Sequence, residues 1–534
     1  METKNRFNFK KDDIFGGILS PELTDISRIT VDTVMCSRTV AMDIGGDMNL
    51  PEHMPELKKL VKVEVIPTAP SKFVSDSGAQ ISGGVEYRAI YQDGEGELYL
   101  ATFPGEYSFS LPFNEGISRG DFDRISVSAR VYPESAVSRV AGSGKINIRC
   151  RLVSKILVLG ERNIDMDAIP EEEHLQRLVK KTDYCRELFA TREDVELSCT
   201  VSIPEADVRY ISTECDLYIE DSVSGEGYAD CRGYALVKHL MSRKGKPYTV
   251  SERIPFSETV EIDHLPKGAE VCVRGSLCGI TVEMPENTDE SGRGPEIILR
   301  VCLEAFGFER CETNYVKDVY STAFELSSEN ETCVLPYLIS CHSGNMTFNG
   351  REELSKLGIS DDRITTVDVV GSATAESVDR EGDKWVVNGK CRFAVMYETE
   401  DDGEVKCAET ELPFKYEFNG AEGETARFDC NVFAVDCGCR CEGERINLDC
   451  ELYIVTTIIG EHRCERVCSV SVTGDRGETR RGFTVCYPDK SDSLWSVAKR
   501  YRANVLTTAL ENGIEAGGDA DCVGLPEGKK YMIV

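Results

Sequence analysis

Phe113, Phe256 and Phe414 are 143 and 158 residues apart, and each closes the same pattern. In the first copy, Val85–Tyr91 leads into an Asp93-Gly94 turn, returns over Glu97–Thr102 and meets Leu111-Pro112-Phe113. In the second, Cys231–Val237 leads into the basic turn Arg243–Lys246, returns over Tyr248–Glu252 and meets Ile254-Pro255-Phe256. In the third, Cys391–Tyr397 leads into Asp401-Asp402-Gly403, returns over Glu404–Glu409 and meets Leu412-Pro413-Phe414. A strand, a Gly-bearing turn and a returning strand make a hairpin. The proline suits a strand end or edge, because it has no N–H for a ladder.

The copies also end alike. Ile146–Leu152 and Ile446–Leu452 alternate apolar and polar residues, as half-buried strands do, and Ile297–Leu303 fits the same frame. A period this long is domain duplication, since solenoid repeats run to only ~20–50 residues. The 534 residues are enough for several domains. The expected fold is mostly β, with three β-rich, sandwich- or barrel-like repeats over 29–162, 163–312 and 313–462. A leader over 1–28, a polar linker over 463–482 and a small βααβ unit over 483–534 complete the chain. Two segments within the repeats, His53–Lys62 and Glu171–Lys181, are candidate helices.

The net charge of −32 repels phosphate backbones and anionic membrane surfaces, so nucleic-acid binding and membrane association are not expected. Residues 1–13 lack the apolar stretch of a secretion signal. The longest apolar runs, such as Ile156–Leu159 and Ile454–Ile459, are far short of the ~20 residues of a membrane helix. A cytoplasmic setting follows as the expectation, and its reducing conditions leave 23 thiols free.

Three of those thiols stand at alternate positions, in Cys437-Gly438-Cys439-Arg440-Cys441. The repeat provides a comparison. Cys231 and Cys391 align with Val85, and Cys150 and Cys450 align with Val301, as expected where cysteine serves as a small hydrophobe. Counted back from Ile446 and Ile146, the three cysteines align with Val137, Arg139 and Ala141. Alternate residues of a strand are ~6.6–6.8 Å apart on one face, too far for thiolates sharing one zinc ion. Oxidative cross-linking remains open from the number of thiols.

Catalytic signatures are absent or incomplete. Gly142-Ser-Gly-Lys145 lacks the full phosphate-loop spacing and reads as a hairpin turn. The six histidines are scattered along the chain. Asp361-Asp362 and Asp401-Asp402 read as solvated loop residues, although a carboxylate pair meeting in space would escape a sequence reading. His462, Cys464 and Cys468, at a domain edge, are the best remaining metal candidate but offer only three ligands. The expectation is a protein without catalytic residues, cofactor or metal.

The tail is the most specific segment. Ser491-Asp492-Ser493 offers N-cap residues, and Leu494, Val497, Ala498 and Tyr501 fall on one helix face. Val505–Asn512 reads as a second helix stopped at Gly513, and Gly528–Val534 as a closing strand. With Trp495, Asn512 and Gly528 in order, this segment resembles the LysM domain. The resemblance implies a groove between two loops that binds N-acetylglucosamine-containing glycans. Its residues would be Lys490, Ser491, Asp492, Ser493, Leu494 and Trp495 in the first loop, with Asn512, Gly513, Ile514 and Glu515 at the second, which runs to Gly518. Ser491 stands where the motif usually has glycine, and Pro488 where the first strand usually continues.

Three β-rich repeats with the apolar-Pro-Phe step, followed by such a tail, resemble the SPOCS-domain family of spore-forming Firmicutes, in its clostridial three-SPOCS, one-LysM architecture. The resemblance implies a non-enzymatic coat-morphogenetic scaffold in the mother-cell cytoplasm at the forespore surface. Implied partners are spore-coat proteins, among them the coat's basement-layer ATPase, docked by the tail. A peptidoglycan-binding wall or cortex protein and a LysM-anchored wall hydrolase are the alternatives.

Overall fold

The computed structural model describes residues 28–172, 174–202, 208–283, 293–359, 364–399, 404–475, 483–514, 521 and 523–533. The protein is mostly β, at 76% strand with two short helices, in several small antiparallel sheets.

The first group of strands is β1 (Arg28–Asn49), β2 (Lys59–Pro67), β3 (Ser71–Val74), β4 (Gly78–Gln92), β5 (Leu98–Pro112), β6 (Arg124–Gly142) and β7 (Lys145–Asp165). The second is β8 (Leu175–Ser202), β9 (Val208–Ser224), β10 (Tyr228–Arg243), β11 (Lys246–Glu261), β12 (Glu270–Glu283) and β13 (Arg293–Ser321). The third is β14 (Phe324–Glu353), β15 (Ile364–Glu381), β16 (Lys384–Thr399), β17 (Val405–Asn419), β18 (Arg427–Glu442) and β19 (Arg445–Asp475). Each group has one topology. Its first strand pairs with its last, which pairs with the one before, giving β1-β7-β6, β8-β13-β12 and β14-β19-β18. The middle strands form a second sheet, in which β4, β10 and β16 are central.

The two sheets of each unit bury one shared apolar core. The six residues aligned in the sequence as exchanging cysteine for valine all lie in these cores: Val85, Cys231, Cys391, Cys150, Val301 and Cys450 are buried. The three hairpins are β4–β5, β10–β11 and β16–β17. The third hairpin's turn, Asp401-Asp402-Gly403, and the Asp361-Asp362 pair lie outside the described residues. The phosphate-loop look-alike is the β6–β7 turn.

Neither candidate helix forms. Residues 51–58 are turns that feed β2, and the second segment enters β8 at Leu175. Both had too few apolar residues at helical spacing to outweigh the pairing that a long neighbouring strand offers. Residues 463–475, expected in a linker, continue β19 in register with β14, and residues 476–482 lie outside the described residues.

The long strands overshoot their cores, and the overshoot joins the units. Ile29, Val31 and Ile164 from the first unit pack with Tyr184 of the second and Cys333, Leu335 and Cys464 of the third. A polar junction ties the same three units. Arg274 donates from Nε to Glu304 Oε2 at 2.9 Å, from Nη1 to Asp429 Oδ2 at 2.8 Å and from Nη2 to Ser128 Oγ at 2.6 Å. In a second junction Lys62 lies between Glu64 of its own unit and Glu214 of the second. Burial and Glu214 push the Glu64 carboxyl up, while the Lys62 ammonium holds Glu214 down. Every unit thus touches both others.

Cys437, Cys439 and Cys441 lie on β18, half-buried against the third core. The structure corrects their alignment by one residue. Ile446 faces Cys441 and Leu448 faces Cys439, whereas Ile146 faces Val140 and Ile148 faces Ser138. A bulge between Val140 and Gly142 absorbs Ala141, which counting alone could not see. The conclusion is unchanged, because the first unit builds this strand without sulfur. Cys437 itself sits in a bulge where Asp436 takes a left-handed φ of 56°. All 22 cysteines among the described residues are free thiols.

Candidate functional site

The C-terminal unit consists of β20 (Thr484–Cys486), α1 (Leu494–Tyr501), α2 (Val505–Glu511) and β21 (Tyr531–Ile533), with β20 and β21 paired. Ser493 caps α1. Its Oγ accepts the Ser496 N–H at 3.1 Å, and Ser496 Oγ accepts the Ser493 N–H at 2.9 Å. One helix face, Leu494, Val497 and Ala498, is buried with Val505 and Ala509 of α2 and with Tyr531 and Ile533 of β21.

The residues expected to line a groove divide sharply. Lys490 and Ser491 are exposed, and Lys490 lies 3.7 Å from Glu527. Asp492 is buried. Its carboxylate accepts from the Asp489 N–H at 3.0 Å and from Arg500 at 3.1 and 2.5 Å. Arg500 holds that carboxyl below its ordinary range. Leu494 is fully buried. Asn512 serves as an internal clamp. Its Nδ2 donates to Thr508 O at 2.7 Å and Met532 O at 2.6 Å, and its Oδ1 accepts the Met532 N–H at 2.7 Å. Gly513 takes the positive φ of 63° that ends α2, and the Ile514 N–H returns to Ala509 O at 2.9 Å. Glu515 lies outside the described residues, as does the rest of the second loop to Gly518.

Trp495 faces the second unit rather than a groove. It is 4% exposed, donates from Nε1 to Asp318 Oδ2 at 2.9 Å, and meets the Tyr320 ring edge-on at 5.0 Å. Around it, Lys499 reaches both Asp318 oxygens at 2.6 Å, Tyr320 donates to Ala503 O at 2.6 Å, and the Val505 N–H donates to Gln176 Oε1 at 3.1 Å. Asp318, Tyr320 and Gln176 had no signal in the sequence, because they are remote in the chain and lie at the far ends of β13 and β8.

The surface left open by this docking is apolar in two places. Leu506 and Leu510, one turn apart on α2, are 62% and 78% exposed. Phe483, Val485 and Tyr487, at alternate positions through β20, are exposed as well.

The structure does not bring His462, Cys464 and Cys468 together as ligands. The His462 ring stacks on Tyr337 at 4.0 Å, Cys464 faces Cys333 across the β14–β19 pair, and Cys468 Sγ donates to Glu329 O at 3.2 Å. No helix among the described residues is long and apolar enough to cross a membrane. Comparison of the chain with protein-family models, with curated proteins and with solved structures finds no match.

Proposed function

We propose that the chain is a non-enzymatic spore-coat morphogenetic scaffold of the SPOCS type. It would act in the mother-cell cytoplasm at the forespore surface and hold coat layers together through protein–protein contacts. Its C-terminal unit is a LysM-like domain that docks the coat's basement-layer ATPase. The observation that carries this reading is the position of Trp495. In a glycan groove its indole would be the natural platform for a sugar face, but here it is committed to Asp318 and Tyr320 of the same chain. The exposed residues of the same unit are instead the leucines and aromatics that a protein partner would cover. Three linked units of one topology also supply several docking surfaces on one chain, where effective concentration raises avidity.

The test pairs purified full-length chain with the ATPase. Leu506→Glu with Leu510→Glu should abolish the complex while the melting temperature stays unchanged, since both side chains are exposed. The competing reading is a peptidoglycan-binding wall protein. Lys490 and Ser491, the open part of the first loop, favour it only if muropeptide binding is saturable.

A further inference from the structure

A cluster that the sequence did not suggest lies in the second unit. Cys199 on β8, His239 on β10 and Glu252 on β11 each bring one ligand atom to within 4.8 Å of the other two. Cys199 comes from one sheet of the unit, and His239 and Glu252 from the other. On the β10–β11 pair Val237 faces Glu252 and His239 faces Val250, so His239 and Glu252 are diagonal neighbours. Their sequence separation hid the cluster.

His239 is the informative member. It is 1% exposed, yet its Nε2 is buried without a hydrogen-bond partner. Its other nitrogen is engaged, with Nδ1 2.8 Å from Thr213 Oγ1 and that hydroxyl 2.6 Å from the Tyr210 hydroxyl. With the proton on Nδ1 donated to Thr213, and the Thr213 hydroxyl donating to Tyr210, Nε2 keeps a free lone pair for a metal ion. Metal-ligating histidines are commonly held this way, one nitrogen fixed by an oxygen acceptor and the other free to coordinate. An unpaired buried nitrogen is costly without such a use.

We propose that Cys199, His239 and Glu252 form a zinc-binding site that staples the two sheets of the second unit, with the fourth position open to water. One sulfur, one imidazole nitrogen and one carboxylate suit Zn²⁺, whereas Mg²⁺ and Ca²⁺ favour sets made of oxygen. Zn²⁺ bonds of ~2.0–2.3 Å require the ligand atoms to draw together by ~1 Å. Glu252 is exposed and Cys199 half-buried, so both can move while His239 stays fixed, and the exposed carboxylate marks the entry path. Binding forms the Zn–S bond and releases the Cys199 thiol proton to water, with no change of oxidation state. Among the described residues no second cluster of this kind is brought together, so the site belongs to the second unit.

The experiment uses the reduced, metal-stripped full-length chain, titrated with Co²⁺ as a spectroscopic probe and then with Zn²⁺ in competition. The expected result is one tight equivalent with a thiolate-to-cobalt absorption band, displaced by Zn²⁺ and accompanied by a rise in melting temperature. Cys199→Ser should remove the band, and Glu252→Gln, at an exposed position, should keep the fold and lose the thermal shift. Thr213→Val should weaken binding by ~10–100-fold. Cys278→Ser, a thiol elsewhere in the same unit, should change nothing. A wild-type chain that binds no Zn²⁺, or an equivalent that survives Cys199→Ser with Glu252→Gln, overturns the site.

Discussion

Trp495 Nε1 donates a hydrogen bond to Asp318 Oδ2 at 2.9 Å, between residues 177 positions apart in the chain. That contact joins the C-terminal unit to the second β unit. It is possible because β13 runs past its own core, carrying Asp318 and Tyr320 to where α1 can cover them. Leu178 of β8 and Tyr320 enter the small unit's apolar cluster, which would otherwise be thin for about fifty residues.

Trp495→Ala should therefore destabilise the C-terminal unit by ~3–5 kcal/mol, the cost of truncating a large buried side chain. Asp318→Ala, which leaves the indole N–H unpaired, should cost ~1–3 kcal/mol. Hydrogen exchange reads both. Amides of α1 and α2 should exchange faster, while those of β16, in the third core, keep their protection.

Arg274 bonds to one residue in each unit, so its removal should be felt by the whole assembly. Arg274→Ala leaves Glu304 with Lys72 alone, at 2.7 Å, and unties Asp429 and Ser128, so the cost should approach but not exceed the ~3–5 kcal/mol of a broken buried pair. The exposed pair Lys384–Glu417 is the contrast, since solvent screens it and its loss should barely change stability. Denaturant unfolding of the two variants should separate them clearly.

Asp32 of the first unit accepts the Glu187 N–H of the second at 2.8 Å and gives that contact a pH dependence. Burial, helped by the Glu161 charge, pushes its carboxyl from the ordinary 3.8 up to about 7, against Arg186, Arg427 and Arg124 nearby. The native state then holds a proton that the unfolded chain has released. Stability from this group is complete below pH 3.8 and is lost as pH rises toward 7. Melting temperatures of wild type and Asp32→Asn, compared between pH 5 and 8, should show the wild type falling relative to the variant. A constant difference would contradict this assignment.

The hairpins and the Pro-Phe step were legible because turn chemistry and alternation act locally. The burial of Cys231, Cys391 and Val85 was legible from strand alternation, but their equivalence was not, since Cys231 faces Glu258, past Phe256, whereas Cys391 faces Leu412, before Phe414. The helices expected over His53–Lys62 and Glu171–Lys181 failed because tertiary pairing overrode a weak local pattern. The bulge at Val140/Gly142 displaced the alignment of Cys437, Cys439 and Cys441 by one position without any local mark. In the tail, residue order gave both helices and the closing strand. It could not give the burial of Asp492, the clamp made by Asn512 or the partner of Trp495, which depend on groups elsewhere in space.

The thiols at 439 and 441 should behave as packing groups. Burial raises both above the ordinary cysteine value, so little thiolate exists near neutral pH. Iodoacetamide labelling at pH 8, read by mass spectrometry, should modify them more slowly than an unfolded control peptide. Cys391→Val, at a fully buried position, should change stability by less than ~1.5 kcal/mol.

The central claim is that the C-terminal unit binds protein rather than glycan. The direct measurement is calorimetric titration of the full-length chain with the purified basement-layer ATPase and, separately, with soluble peptidoglycan fragments. The account predicts saturable binding of the ATPase, lost on Leu506→Glu with Leu510→Glu, and no heat from the fragments. Saturable fragment binding that is lost on changes at Lys490 and Ser491, with no ATPase binding, would contradict it.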